Sequence, residues 1–418
     1  MNVAADKAYD VVIAGGGMIG TSLALALSPL GLRVAMVEAV ERKASSQPSF
    51  DDRSTALSRS TQRMFEAMGL WPDIVAASTP IRRIHVSDKG RFGFSHIDAE
   101  EQNVEALGYV VINRILGGVL HTALDKAGSI DILCPARISK ISLAPEHATA
   151  IVDHADGRTD TLRCRLLVAA DGANSSVRNM MGITAIQSRY RQHAVIGNLL
   201  PEKPPNNIAY ERFTDCGPLA LLPVADNRAA FVWTVSETDA STVLELDDDA
   251  FIAKLQAAFG HRLGEFSKVG TRAAYPLMLS KAVRLTATRS VLVGNAAHGL
   301  HPVAAQGFNL GMRDVAALCD CIADNHASGT VESAIGDMGD SALLERYATW
   351  RKSDQKKLVQ FTDGLVRMFG STNTPIRMLR NIGMLGFDLL PGVRSEFARH
   401  TMGLAGRLPR LSRGVPLI

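Results

Sequence analysis

The chain has 418 residues, 46% of them hydrophobic and 21% charged, which is the balance of a globular protein large enough for two lobes. Its formal net charge of +3 is too small to indicate a nucleic-acid partner. No apolar run is long enough to span a bilayer, and the N-terminus does not resemble a signal peptide. The 5 cysteines fit neither a zinc site nor a disulfide framework. We therefore expect reduced thiols and a cytoplasmic location.

The first predicted elements are a strand, a glycine turn, a helix and a second strand, in YDVVIAGGGMIGTSLALALSPLGLRVAMVE. VVIA is a β-branched run typical of a buried parallel strand. Gly15 permits a tight turn, Gly17 lets a pyrophosphate approach the backbone, and Gly20 lets the helix pack on the strand. Glu38 ends the second strand at about the 20-residue spacing of a carboxylate that binds a ribose hydroxyl. This pattern predicts a dinucleotide site at the helix N-terminus, without separating NAD from FAD.

A second passage from strand to loop lies in mid-chain, in LLVAADGANSSVRNMMGI. Asp171 and Gly172 end the strand, Ser175 and Ser176 are candidate helix caps, and Arg178 lies in the first turn of the helix. An ordinary Asp-Gly turn followed by a capped helix is the alternative interpretation.

A third block, LVGNAAHGLHPVAAQGFNLGMRD, passes from a short strand through small residues into a helix. Small side chains at such a junction indicate that a large ligand lies against the backbone. His298 and His301 are interpreted as loop scaffolding rather than as proton relays or metal ligands. The expected ligand contacts of this block are Gly294, Asn295, Pro302, Gly307, Asn309 and Leu310.

In this order, the three blocks resemble those of the flavoprotein aromatic hydroxylases of the p-hydroxybenzoate hydroxylase type. Through DDRSTALSRST, AYERFTDCGPLALLPV and AAYPL the resemblance sharpens to the ubiquinone-biosynthesis hydroxylases, and it extends from Tyr9 to about Leu411. Within that group the chain looks most similar to the hydroxylases of 2-polyprenyl-6-methoxyphenol. The resemblance implies that FAD is the cofactor, with the third block along its ribityl chain and ring, and that NAD(P)H is a transient electron donor.

The resemblance also implies roles for single residues. Arg53 matches an arginine near the flavin and its phosphates, and Arg114 matches one that supports the phosphate or ribityl region; for both, a solvated surface arginine is the alternative. Pro302 matches a proline whose carbonyl lies near flavin and substrate. Asn295 and Ala305 depart from the usual Asp and Gly of the family, so these two positions bear on FAD affinity.

The predicted fold is α/β, with a Rossmann-like FAD-binding lobe of the p-hydroxybenzoate hydroxylase type, an inserted and mostly antiparallel sheet, and a helical C-terminus. Tyr210 and Tyr275, on strands of the insert, are candidate residues for bonding a phenol hydroxyl, and buried core aromatics are the alternative. The predicted domains are 1–185 and 283–370 for the FAD lobe, 186–282 for the substrate-binding sheet, and 371–418 for the C-terminal helical segment.

The predicted function is hydroxylation of a polyprenyl phenol in ubiquinone biosynthesis by an FAD-dependent monooxygenase that uses NAD(P)H and O₂. One alternative is a hydroxylase of a small soluble aromatic or a flavin-dependent reductase of a prenyl lipid, and another is a non-catalytic subunit that binds prenyl lipid. The segment Gly392–Ile418 carries five arginines against one glutamate. It predicts peripheral contact with anionic lipid or with a ubiquinone-synthesis complex, and a helix packed on its own lobe is the alternative.

Overall fold

The computed structural model describes residues 6–41, 53–90, 94–299, 306–327, 336–370 and 391–418. Of Asp6, Ala327, 357–370, Pro391 and Val393 it describes the backbone alone. Within these ranges the helices are α1 (Met18–Leu27), α2 (Arg59–Ala67), α3 (Trp71–Val75), α4 (Asn113–Lys126), α5 (Ser176–Met180), α6 (Ala240–Glu245), α7 (Asp248–Phe259), α8 (Gln306–Ala327), α9 (Ser341–Gly370) and α10 (Pro391–Thr401).

The strands alternate with helices early in the chain and follow one another in its middle. They are β1 (Asp6–Ala14), β2 (Val34–Val37), β3 (Ser54–Ser58), β4 (Ser78–Ile81), β5 (Arg83–Asp88), β6 (Phe94–Asp98), β7 (Gly108–Ile112), β8 (Ile130–Leu133), β9 (Ala136–Leu143), β10 (Ala148–His154), β11 (Thr159–Ala169), β12 (Ala185–Pro201), β13 (Ile208–Thr214), β14 (Gly217–Pro223), β15 (Ala229–Ser236), β16 (Phe266–Val269), β17 (Ala273–Ala282), β18 (Thr286–Ala287), β19 (Ser290–Leu292) and β20 (His298–Gly299).

The first sheet has the strand order β18-β19-β11-β1-β2-β8, and its central neighbours run parallel. Val11, Val12 and Ile13 of β1 are fully buried, as expected for a parallel strand covered on both faces. The antiparallel hairpin of β9 and β10 extends this sheet from β11. Helix α1 returns from β1 and packs against α8, so the first and last parts of the chain share one core.

The second sheet has the order β20-β17-β12-β15-β14-β13-β5-β6, with β16 paired to β12, and it is mostly antiparallel. One face packs on α7, where the Phe231 and Phe251 rings lie 5.6 Å apart. Asp247 caps α7 by accepting a hydrogen bond from the Ala250 N–H. The predicted α/β fold with an inserted sheet is confirmed, and β5 and β6 join that sheet from outside the segment 186–282.

The opposite face of the second sheet meets a three-stranded sheet of order β3-β7-β4. Val110 of β7 and Ile81 of β4 pack there against Ala209 and Ala230. The small sheet therefore joins the inserted sheet to the parallel one. No helix among the described residues is long and apolar enough to cross a membrane.

The C-terminal segment lies on this framework. Ala398 and Met402 of α10 and the turn after it pack with Ile97 and Leu107, and the Ser60 N–H donates to the Met402 carbonyl at 3.0 Å. Three of its arginines form ion pairs with carboxylates of the same chain. These are Arg394 with Glu101 at 3.3 Å, Arg399 with Glu396 at 3.8 Å, and Arg410 with Asp320 at 3.7 Å. These contacts agree with a helix packed on its own lobe.

Candidate functional site

The glycine turn between β1 and α1 has room for backbone only. Gly15 has φ +100°, and a Cβ there would lie 2.6 Å from the Ala170 carbonyl oxygen. A Cβ on Gly20 would lie 1.9 Å from the Gly15 carbonyl oxygen. Gly17 precedes α1 and provides no side-chain cap. The first N–H groups of α1 are therefore left for a ligand, which suits a pyrophosphate.

The Glu38 carboxylate lies at the mouth of this turn. Its Oε2 accepts from the Gly16 N–H at 2.5 Å, and its Oε1 accepts from the Val40 N–H at 2.8 Å. Each carboxylate oxygen keeps a second lone pair. The geometry thus fixes the side chain at the end of β2 and leaves acceptor capacity for a ribose hydroxyl.

The second block forms a loop that is held by its own aspartate. Asp171 Oδ1 accepts a short hydrogen bond from the Ser175 hydroxyl, and its Oδ2 accepts from the Val177 N–H at 3.1 Å. Gly172 has φ +86°, and a Cβ there would meet nothing within 4 Å. The Asp171 side chain therefore orders the start of α5, while the Gly172 backbone borders open space.

The second block contacts both of the others. A Cβ on Gly15 would lie 2.9 Å from the Asp171 Cα, so the first two turns abut. The Arg178 guanidinium, on α5, donates from Nη1 to the Ala296 carbonyl at 3.0 Å. Ala296 belongs to the third block, and this buried hydrogen bond connects the two loops.

The third block packs on the first helix through Ile19. Gly294 has φ +60°, and a Cβ there would lie 3.1 Å from the Ile19 Cγ2. A Cβ on Gly311 would lie 2.8 Å from the Ile19 Cδ1. All three blocks therefore meet in one place, at the carboxyl ends of β1, β11 and β19, where ligands of open α/β sheets bind.

The residues at the start of α8 face in different directions. Asn309 is the fourth residue of the helix. Its amide oxygen accepts hydrogen bonds from the Ser58 N–H at 2.9 Å and from the Thr61 hydroxyl at 2.8 Å. Leu310 is fully buried, whereas Asn295 is exposed. A Cβ on Gly307 would meet nothing within 4 Å. Gly307 thus adjoins open space, Asn295 lies at the surface, and the Asn309 side chain connects α8 to α2.

Arg53 and Tyr275 come together across the lobes. The Arg53 guanidinium lies over the Tyr275 ring, 4.9 Å from its centroid, and Tyr275 as a residue is 40% exposed. The Arg53 carbonyl accepts from the Asn113 N–H at 2.8 Å, which places Arg53 beside Arg114 at the start of α4. Two arginines and a partly exposed tyrosine therefore lie near this junction.

Tyr210 lies elsewhere, in the core between β13 and α7. It is 7% exposed and makes edge contacts with His85 and with Phe259, at 5.6 and 5.7 Å between ring centroids. Burial raises the pKa of its hydroxyl. Pro302, His301 and Ala305 fall outside the described residues.

Glu211, which the sequence reading did not single out, follows Tyr210 and faces the other side of the sheet. It pairs with Ala220 of β14 and Val86 of β5. This carboxyl therefore lies on the face of the sheet opposite α7. Burial raises the pKa of this carboxyl from 4.5 to about 7.

A buried ionic network supports the third block and was also missed. Asp314 of α8 is fully buried and accepts from the Gly294 N–H at 3.0 Å, from His298 Nε2 at 2.6 Å and from Arg351 Nε at 2.6 Å. Burial alone would raise the pKa of Asp314, but His298 and Arg351 outweigh it and lower that pKa to about 2. Asp314 stands in the GMRD of the third block, whereas Arg351 lies in no motif.

The model of a family described as FAD binding domain matches residues 8–362. Ubiquinone hydroxylase UbiL of Rhodospirillum rubrum is 36% identical over 99% of this chain and 94% of its own. The 3-demethoxyubiquinol 3-hydroxylase of Escherichia coli is 30% identical over 94% of this chain and 98% of its own. The mitochondrial ubiquinone biosynthesis monooxygenase COQ6 of Xenopus tropicalis is 30% identical over 93% of this chain and 92% of its own.

Solved structures share the fold. p-Nitrophenol 4-monooxygenase PnpA from Pseudomonas putida DLL-E4 superposes with a TM-score of 0.77 at 18% identity, covering 96% of this chain and 99% of its own. PqsL of P. aeruginosa, in complex with 2-aminobenzoylacetate, has a TM-score of 0.74 at 21% identity, and the match covers 91% of this chain and 100% of PqsL. The chain belongs to the FAD-binding-domain family, within the hydroxylases related to ubiquinone biosynthesis, and is an FAD-dependent monooxygenase.

Proposed function

We propose that this monooxygenase hydroxylates the ring of a polyprenyl phenol in ubiquinone biosynthesis, with 2-polyprenyl-6-methoxyphenol as its substrate and NAD(P)H as its electron donor. The observation that carries the proposal is the meeting of three distant loops around Ile19, Arg178 and Gly294, beside an inserted sheet. The names of the relatives support the pathway, because three of them are hydroxylases or monooxygenases of ubiquinone or its precursors.

The residues of the three loops suit the parts of FAD. The N–H groups after Gly17 would hold the pyrophosphate, and the Glu38 carboxylate would accept from a ribose hydroxyl. Asn295 and the backbone at Gly172 and Gly307 border the space for the ribityl chain and ring. Bound FAD supplies the oxygen-transfer chemistry of the reaction.

The charges near the junction favour an anionic ligand. Arg53 and Arg114 would add two positive charges, and the N-terminal dipole of α8 would favour the negative charge that gathers on a reduced flavin ring bound beside it. We assign to these three features the neutralisation of phosphate and reduced-ring charge. Asn309 and Leu310 would act by fixing the start of α8.

The substrate side of the proposal rests on the inserted sheet. Tyr275, next to Arg53, would donate its hydroxyl proton to the phenol oxygen, and Pro302 would contribute its carbonyl near the ring. Tyr210 would need to turn from its core packing to do the same, whereas Glu211 faces away from that core. The inserted sheet and the small sheet beneath it would exclude water from the reacting ring.

A lipid profile tests this function. In cells that lack the protein, aerobic ubiquinone should fall and 2-polyprenyl-6-methoxyphenol should accumulate. Accumulation of 3-demethoxyubiquinol would instead assign the ring position named for the Escherichia coli relative. Normal ubiquinone, together with activity of the purified enzyme on small phenols, would contradict the pathway and support a small-aromatic hydroxylase.

A further inference from the structure

A separate cavity lies between α8, α9 and the segment after α10. Its volume is about 130 Å³, and its polar and aromatic lining consists mainly of Arg313, Trp350, Ser353, Asp354, His400 and Arg407. At about 30 Å³ per water molecule, this space holds roughly four waters. It therefore admits a small ion or head group and excludes a nucleotide.

The negative charge at this cavity is already neutralised. Asp354 Oδ1 accepts from Arg313 Nη2 at 2.6 Å, and its Oδ2 accepts a short hydrogen bond from Arg351 Nη1. Both oxygens of this carboxylate thus bind guanidinium groups, so it offers little further attraction to a cation. Glu396, beside His400, is engaged by Arg399 and by the His400 ring.

Hydrogen-bond donors, in contrast, are left over. Arg313 is 8% exposed, and its Nε has no hydrogen-bond partner in the described part of the chain. Arg407 is exposed and stacks on Trp350, 4.3 Å from the ring centroid, with no carboxylate in ion-pair range among the described residues. The pKa of Arg313 is lowered by burial and by the neighbouring Arg351. An added negative charge would therefore stabilise the arginines on both sides of the cavity.

We propose that this cavity binds one small oxyanion, a phosphate or carboxylate group, between Arg313 and Arg407. Guanidinium groups recognise such anions by paired N–H donors. The Ser353 hydroxyl and the His400 ring line the same space. The group is either a free ion or the head group of an anionic lipid, and the site is independent of the proposed substrate.

The consequence of binding is structural. Gln306 lies within the third block and begins α8, and its Nε2 donates to the Thr401 carbonyl at 3.3 Å. An anion between α8 and Arg407 would hold the C-terminal segment against the helix that supports the flavin site. Occupancy should therefore raise the unfolding temperature of the full-length protein.

Titration of the purified full-length protein with inorganic phosphate tests the proposal. Trp350 reports binding by its fluorescence, and sodium chloride at matched ionic strength is the salt control. We expect phosphate to change the emission and raise the midpoint of thermal unfolding, and Arg407→Gln to weaken this binding at least tenfold. Arg399→Gln, an exposed arginine outside the cavity, is the matched control and should bind as the wild type does.

Two further measurements with lipid vesicles distinguish a lipid head group from a free ion as the bound anion. Vesicles with phosphatidylglycerol should bind the wild type but not Arg407→Gln if the anion is a lipid head group, whereas phosphatidylcholine vesicles should not. If the anion is a free ion, phosphate binds and neither vesicle does. Phosphate effects equal to those of chloride, or equal in wild type and Arg407→Gln, with no binding to phosphatidylglycerol, would overturn the proposal.

Discussion

Replacing Asp314 by asparagine should test the ionic network that supports the third block. The substitution keeps the size of the side chain but removes the charge that faces His298 and Arg351 inside the protein. A pKa lowered from 3.8 to about 2 corresponds to about 2 kcal/mol of stability at neutral pH. Breaking a buried ion pair typically costs about 3–5 kcal/mol. We therefore expect the free energy of unfolding to fall by about 2–5 kcal/mol.

The assay is urea unfolding of both proteins at pH 7, with and without FAD. Asp324→Asn is the matched control, because Asp324 lies on the same helix, is 42% exposed and pairs with Arg410 at the surface. Such a surface pair contributes about 1 kcal/mol or less. FAD affinity should also fall in Asp314→Asn, since the Gly294 N–H loses its carboxylate acceptor.

The pH dependence has a definite sign. The folded-state pKa of Asp314 is lowered, so its stabilising effect is fully present above about pH 4 and is lost as the pH falls through about 2. The difference between wild type and Asp314→Asn should shrink over that interval. A loss below 1 kcal/mol at pH 7, no larger than that of Asp324→Asn, would refute the role assigned to this network.

Three further outcomes are expected. Glu211→Gln should stabilise the protein at pH 8.5 by up to about 3 kcal/mol and leave its stability unchanged at pH 4. The reason is that burial raises the pKa of Glu211 to about 7, so ionisation of this carboxyl destabilises the fold as the pH rises through 7. An equal gain at both pH values in urea unfolding would contradict this. Gly307→Ala should leave the apoprotein as stable but weaken FAD binding, whereas Gly311→Ala should lower the unfolding midpoint, as measured by calorimetry and flavin titration. Tyr275→Phe should retain FAD binding and slow hydroxylation, while Tyr275→Leu should also lose the stacking on Arg53, worth about 0.5–1 kcal/mol.

The features that the sequence predicted well are set by local chemistry. Gly15 has φ +100°, a conformation that favours glycine, and a Cβ on Gly20 would meet the Gly15 carbonyl oxygen, so both requirements arise within one turn of the chain. The capping of α5 by Ser175 is likewise a contact between near neighbours in the chain. Such features need no knowledge of the distant chain, and the blocks also gave the family resemblance that the comparisons confirmed.

The features that escaped prediction join residues far apart in sequence. The Asn309 amide joins α8 to β3 and α2 through the Ser58 N–H and the Thr61 hydroxyl, and no motif indicated these contacts. Arg351 lies in the middle of a long helix with no motif around it, and only the packing of α9 on α8 places it beside Asp314. The raised pKa of Glu211 similarly depends on which face of β13 is covered. The periodicity of apolar residues predicts a helix or strand and its buried face, but it does not predict which element packs against that face.

The glycines of the third block have two distinct physical roles. Gly294 and Gly311 make room for the Ile19 side chain, so they bring the first and third loops into contact even without a ligand. A Cβ on Gly307, one turn away, would meet nothing within 4 Å, so packing within the described chain does not require glycine there. Packing therefore explains two of these three glycines, and a bound cofactor would explain the third. Because Ile19 lies in the first turn of α1, its contacts with Gly294 and Gly311 hold the third block beside the helix N-terminus, where a pyrophosphate would bind.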